Sequence, residues 1–295
     1  MSMSKKKCMV KVSKLILVNC FTEEMTTENI AFNRLLVPHV KANYQSQEEN
    51  GFKRVFDDNE YSRFCYVLHE NGMWKDAEYF QYKIVEIGIK KQGPEHPNAL
   101  TSMGKLAVMY SLQGRYKETG ELQLKVLDLH KIVLGPEHPD TLISMNNLAF
   151  TYSNEGKYEE AAQLQLKLLD LCKRVLGPEH PNTLTSMTNL AAMYSVEGKY
   201  EEAAQLQLKV LDLHNKVLGP EHPHTLASMY NLALTYSNQG RYEEAAQLQL
   251  KVLDVFKRML GPEHPDTLTS MSNLALTYSN QGKYEEAAAK GTGSA

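Results

Sequence analysis

Gly135–Leu176 reads GPEHPDTLISMNNLAFTYSNEGKYEEAAQLQLKLLDLCKRVL, and at Gly177 the same text begins again, changed at ten of its forty-two positions. The opening Gly-Pro-Glu-His-Pro stands at Gly93, Gly135, Gly177, Gly219 and Gly261, forty-two residues apart each time. A fixed period of this length marks a solenoid, in which no unit buries its apolar face alone and each leans on its neighbours. A turn glycine keeps the same period from Gly72 through Gly114, Gly156, Gly198 and Gly240 to Gly282. A first, degenerate unit therefore begins near Asp57, and a sixth is incomplete.

Each unit predicts two helices. Met145, Leu148, Ala149 and Tyr152 share one helical face. Asp140 stands where an N-cap belongs, as do Asn98, Asn182 and Asp266, with His224 the odd member. Gly156 supplies the turn, and a second helix from about Tyr158 carries Ala161, Leu164, Leu168, Leu171 and Val175 as its stripe. Gly177 then takes left-handed angles, and Pro178 stops the helix. Glu159 and Glu160 near the start, with Lys173 and Arg174 near the end, suit the helix dipole.

Residues 1–56 do not repeat. Lys11–Cys20 suggests a short helix, and Thr26–Tyr44 a longer one striped by Ile30, Leu35, Leu36 and Val40 and kinked at Pro38. Gln45–Gly51 is a polar break. Repeats occupy 57–288, the last cut short, and 289–295 (AKGTGSA) reads as an appended tail. The shortened last helix predicts that Met271, Leu274 and Tyr278 are less covered than their equivalents, which would favour end-to-end self-association.

Composition excludes several classes. The net charge of −3 over 295 residues offers no basic excess for nucleic acid or an anionic membrane, and the short run Lys5-Lys6-Lys7 reads as a solvated tail. No apolar run approaches the roughly 20 residues that span a bilayer. Cys8, Cys20, Cys65 and Cys172 share no motif spacing and read as free thiols, which places the chain in the cytoplasm. No phosphate-binding Gly-x-x-x-x-Gly-Lys-[Ser/Thr] occurs, and His69-Glu70 does not continue into a zinc-protease motif. The Glu-His pairs at 95/96, 137/138, 179/180, 221/222 and 263/264 are too far apart for one ion, since packed helices stand about 8–10 Å apart and zinc–nitrogen bonds about 2 Å. Serine and threonine recur as repeat positions, without one nucleophile and its base. No enzyme activity, cofactor or metal is expected.

The order Leu148-Ala149-x-x-Tyr152, Gly156-x-Tyr158-x-x-Ala161, Pro178 resembles the tetratricopeptide pattern. It departs from that pattern with Met145 for the usual Trp, Gln165 at the usual aromatic position, and a period above the usual ~34 residues. The longer variant with Leu-Gly-Pro-Glu-His-Pro connections resembles kinesin light chains, and more closely the C-terminal repeats of fungal and bacterial NLR-like (STAND) signalling NTPases. Leu35-Leu36-Val37-Pro38-His39-Val40 resembles a segment that often precedes such repeats. The resemblance implies an all-α, right-handed superhelical solenoid of helix-turn-helix repeats, and a parent protein with a nucleotide-binding domain upstream.

It also implies a binding face. Ile143, Asn147, Phe150 and Asn154 lie opposite the core stripe, on the side that lines the concave groove in tetratricopeptide solenoids. The equivalents are Asn189, Ala192 and Val196; Asn231, Leu234 and Asn238; Asn273, Leu276 and Asn280; and, earlier, Lys105, Val108 and Leu112. Asparagine both donates and accepts, so a row of them suits the main chain of an extended peptide. The same asparagines would equally serve as bridges between adjacent helices. The expected function is a non-catalytic protein- or peptide-binding scaffold, the sensor or interaction region of an NLR-like NTPase. Alternatives are a light-chain-like cargo adaptor and a purely structural or engineered array.

Overall fold

The computed structural model describes residues 58–283 together with positions 35, 37–39 and 42. The expected helix at Lys11–Cys20, most of the one at Thr26–Tyr44, the last second helix and the tail lie outside the described residues, while Val37, Pro38 and His39 are helical. Eleven helices are described: α1 (Asp58–Glu70), α2 (Trp74–Gln92), α3 (Pro97–Leu112), α4 (Tyr116–Val133), α5 (Pro139–Asn154), α6 (Tyr158–Leu176), α7 (Pro181–Val196), α8 (Tyr200–Leu218), α9 (Pro223–Asn238), α10 (Tyr242–Leu260) and α11 (Pro265–Asn280). Packing divides the chain between Thr151 and Tyr152, and the two units are described in turn.

In the first unit, helices α1 to α4 pack each on the next. Phe64 and Phe80 are fully buried and meet edge to face at 5.6 Å, joined by Tyr61, Leu68 and the buried Val37. Val85 of α2, Met103 and Leu106 of α3 and Val126 of α4 form a second cluster. Arg115 ties the second hairpin to the first, its Nη1 donating to Glu78 at 2.7 Å and its guanidinium lying 4.3 Å from the Tyr110 ring. In the second unit, Ala204 and Leu211 of α8, Leu226, Met229 and Leu232 of α9, and Ala245, Val252 and Val255 of α10 make one cluster across three helices. Every cluster draws on consecutive hairpins, which is why one hairpin alone would leave its apolar face in water.

The Gly-Pro-Glu-His-Pro connection is a set of separate structural devices. Gly177 has φ 90° and ψ 163°, a region essentially closed to residues with a Cβ. The expected left-handed helical angles are thus replaced by an extended, positive-φ conformation, because the chain must leave α6 and run out to Pro178. Thr183 Oγ1 donates to the Gly177 carbonyl at 2.8 Å, and Thr225 and Thr267 repeat this on Gly219 and Gly261. Glu179 pairs with Lys216, and Glu221 with Arg258.

The N-cap assignment needs correction. His180 Nδ1 accepts from the Asn182 N–H at 3.1 Å, and His96, His138, His222 and His264 do the same two residues on. The histidine is therefore the cap and proline holds N1, where a missing N–H costs nothing. Asn98, Asp140, Asn182, His224 and Asp266 sit inside the first turn. Spacing from the apolar stripe pointed to them because histidine is an uncommon cap.

The second-helix stripe is also shifted. Ala161, Ala162, Gln165, Leu168, Leu169 and Cys172 are the buried residues of α6, whereas Leu164 and Leu171 are half-buried and Val175 is exposed. A second helix packs against first helices on both sides, as α8 does against α7 and α9, so the buried arc is wider than one apolar stripe. Gln165 is fully buried inside that arc and donates from Nε2 to the Ser186 carbonyl at 3.2 Å and to its Oγ at 3.1 Å. Met271, Leu274 and Tyr278 do not differ from their equivalents: they are buried and pack with Ala246 and Leu253 of the preceding helix. Leu268 is 50% exposed where its equivalent Leu226, packed with Val252 and Val255 of α10, is 5% exposed.

Cys65 and Cys172 are free and buried, and burial pushes the Cys65 thiol up to about 12. No helix among the described residues is long and apolar enough to cross a membrane.

Candidate functional site

The face opposite the core is a series of clefts, each floored by the far end of a second helix and walled by two first helices. In the first unit a cleft of about 630 Å³ lies among α3, α4 and α5, lined by Val108, Leu112, His130, Ile143, Asn147 and Phe150. Ile143 and Phe150 are 57% and 63% exposed there. Lys105 is not part of this cleft. It lines a neighbouring one of about 400 Å³ with Tyr66, Ile84 and Ser102.

In the second unit a cleft of about 430 Å³ among α7, α8 and α9 holds Thr188, Asn189, His214, His222, His224 and Asn231. The next, about 500 Å³ among α9, α10 and α11, holds Leu226, Tyr230, Asn231, Phe256, Met259 and Asn273. Asn231 is thus shared between successive clefts. Leu234, Asn238 and Asn280 are exposed on the same helices and line neither cleft, and Asn154 is exposed on α5. Among the described residues, the half-buried side-chain amides of Asn231 and Asn273 make no hydrogen bond within the protein. Asn189 is engaged within the protein.

Two series of variable positions, some of whose members line the clefts, escape a reading by helical face. One runs Gly104, Asn146, Thr188, Tyr230 and Ser272 along the first helices. The other runs Gly88, His130, Cys172, His214 and Phe256 along the second; of these His130, His214 and Phe256 line clefts, and Cys172 is buried. His130 Nδ1 lies 2.8 Å from Ser144 Oγ, and His214 Nδ1 lies 2.8 Å from Ser228 Oγ. Burial holds both imidazoles below the usual histidine range. Both series were visible as variable positions in nearly identical repeats. The second sits on a helix whose face follows from packing, not from periodicity alone.

The geometry of paired helices with a groove of first helices agrees with the family comparison. The tetratricopeptide repeat profile matches residues 61–118, 105–165, 145–207, 189–258 and 226–291. The chain belongs to the tetratricopeptide repeat family. No curated protein matches it. Among solved structures, it is similar to the nearly identical TPR-like repeats of a putative kinesin light chain from Podosopora anserina, at 34% identity and TM-score 0.62 over 68% of this chain and 94% of that one. BtubC (BKLC) from P. vanneervenii has the same fold at 18% identity and TM-score 0.61, covering 74% and 87% of the two chains. So does a STAND protein with a tetratricopeptide repeat sensor from Pyrococcus horikoshii, at 15% identity and TM-score 0.62, where 95% of this chain spans 43% of that one. At equivalent positions in this array stand glutamines, and Gln81 and Gln165 bond across to the next first helix, at Ser102 and Ser186.

Proposed function

We propose that the first-helix face binds an extended segment of a partner protein, main chain on the asparagines and side chains in the clefts, without catalysis. The observation that carries this is the half-buried amides of Asn231 and Asn273, on either side of an apolar cleft and without an intramolecular bond. A bridging role between helices would have consumed them. Lys105, Asn147, Phe150, Asn154, Asn189, Leu234, Asn238 and Asn280 extend the same face in their respective units. A ligand selected from a random peptide display library on the whole chain tests the reading. Asn231→Ala with Asn273→Ala should keep the helical circular dichroism and weaken that ligand by about 0.5–1.5 kcal/mol per lost hydrogen bond. Unchanged affinity in the folded variant would leave the asparagines with no part in recognition.

For its biological setting, we infer the sensor or interaction region of an NLR-like NTPase, by the resemblance of the repeats and of Leu35–Val40. A light-chain-like adaptor is the second reading, favoured by the 34% identity to the putative kinesin light chain repeats. A phosphate-binding loop encoded upstream would decide for the first, and coiled-coil heptads for the second.

A further inference from the structure

We propose that His214, His222 and His224 form a pH-gated pocket for a carboxylate side chain, so that this stretch of the groove selects an acidic peptide. The proposal rests on the groove reading above and adds the chemistry of the ligand. The His214 and His224 rings stack with centroids 6.0 Å apart, and His222 lies 5.3 Å from His224. All three line the cleft of about 430 Å³ that also holds Asn189 and Asn231.

The hydrogen bonds sort the protons. Ser228 Oγ donates to the His224 carbonyl at 3.0 Å, which commits its only proton. His214 must then donate from Nδ1 to Ser228 Oγ, leaving Nε2 as a bare lone pair while the ring is neutral. His222 accepts at Nδ1 from the His224 N–H, so its Nε2 carries the proton. Burial, then His224 and His222, hold His214 below the usual histidine range. Mild acid converts its Nε2 from acceptor to charged donor, and an incoming carboxylate stabilises that form.

The surrounding charges leave this place open for an anion. Helix α7 carries no acidic or basic residue, and α9 carries only His224. Glu179, at the cleft rim, is paired with Lys216, and Glu221 in the loop before α9 is paired with Arg258. Lys209, Asp212 and Lys216 of α8 are exposed, as are Glu201 and Glu202 at its opposite end. The first unit supplies the contrast: Asp140 stands at the position of His224, and its charge favours protonated His130. There the repeat contains its own carboxylate. At His214 the repeat has put an imidazole in that place, and the carboxylate must come from the ligand.

The repeats also provide variants known to fit: Asn98 and Asn182 occupy the His224 position, and Cys172 the His214 position. The probe is a labelled, end-blocked tetraglutamate peptide, with tetraglutamine as its neutral counterpart, measured by anisotropy at constant ionic strength. Tetraglutamate should bind about fivefold or more tightly at about pH 5.5 than at about pH 7.5, with tetraglutamine unchanged. His224→Asn and His214→Cys should each abolish the dependence, and Asp140→His, beside His130 and His138, should add a second site. Persistence of the dependence in both loss variants, or equal binding of the two peptides at the lower pH, would overturn the pocket. The two readings fail separately. A displayed ligand that needs Asn231 but ignores pH removes the pocket alone; pH-dependent tetraglutamate binding with no asparagine effect removes the main-chain clamp alone.

Discussion

At the scale of single residues, the connection between repeats works because each position does one job that its neighbours do not share. His180 satisfies the Asn182 N–H, while the Asn182 side chain merely occupies the first turn. His180→Ala should therefore cost about 1 kcal/mol. Asn182→Ala should stay within about 0.5 kcal/mol. Urea titrations of the two variants separate them, and equal losses would return the capping role to position 182. Gly177→Ala meets no atom within 4 Å, so space is not the obstacle. The backbone is: φ of 90° with an extended ψ should cost about 1–3 kcal/mol, read in the same titration.

At the scale of helices, stability is shared between consecutive hairpins. Leu232 is 1% exposed in a cluster drawn from α8, α9 and α10. Leu232→Ala should lose about 2–5 kcal/mol, with amide exchange quickening first in those three helices. Uniform loosening along the chain would contradict nearest-neighbour coupling. The buried glutamines make a second test. Gln207 is 7% exposed, and its Oε1 has no partner among the described residues. Gln207→Leu removes that orphaned oxygen while keeping most of the volume, so it should be neutral or stabilising by about 1 kcal/mol. Thermal denaturation reads the sign, and a clear loss would show that the amide holds the next first helix as Gln165 does.

Across the molecule, the groove histidines link stability to pH. His130 and His214 have folded-state pKa values below the ordinary histidine value. The unfolded chain therefore takes up their protons first, and stability falls as pH drops from the ordinary histidine range, near pH 6.5, toward the folded values, then levels off. Denaturation midpoints between about pH 7 and 5 should decline, and His214→Cys should shallow the decline. An unchanged slope would mean that His214 titrates alike in both states. The repeat, the helical hairpin, the turn glycines and the asparagine row were legible in the chain itself, because period and residue type report local backbone demands directly. What tertiary structure alone settled is which side of each helix is covered, and by what. Gln165 is polar yet buried, since its amide reaches Ser186 of the next hairpin. His180 is a cap because the proline after it leaves one amide to satisfy. His214 and Phe256 reach the groove only because second helices run beneath it. The histidine cap is settled within two residues, whereas the cover of Gln165 depends on Ser186, 21 residues on in another helix, at a distance that no local spacing encodes.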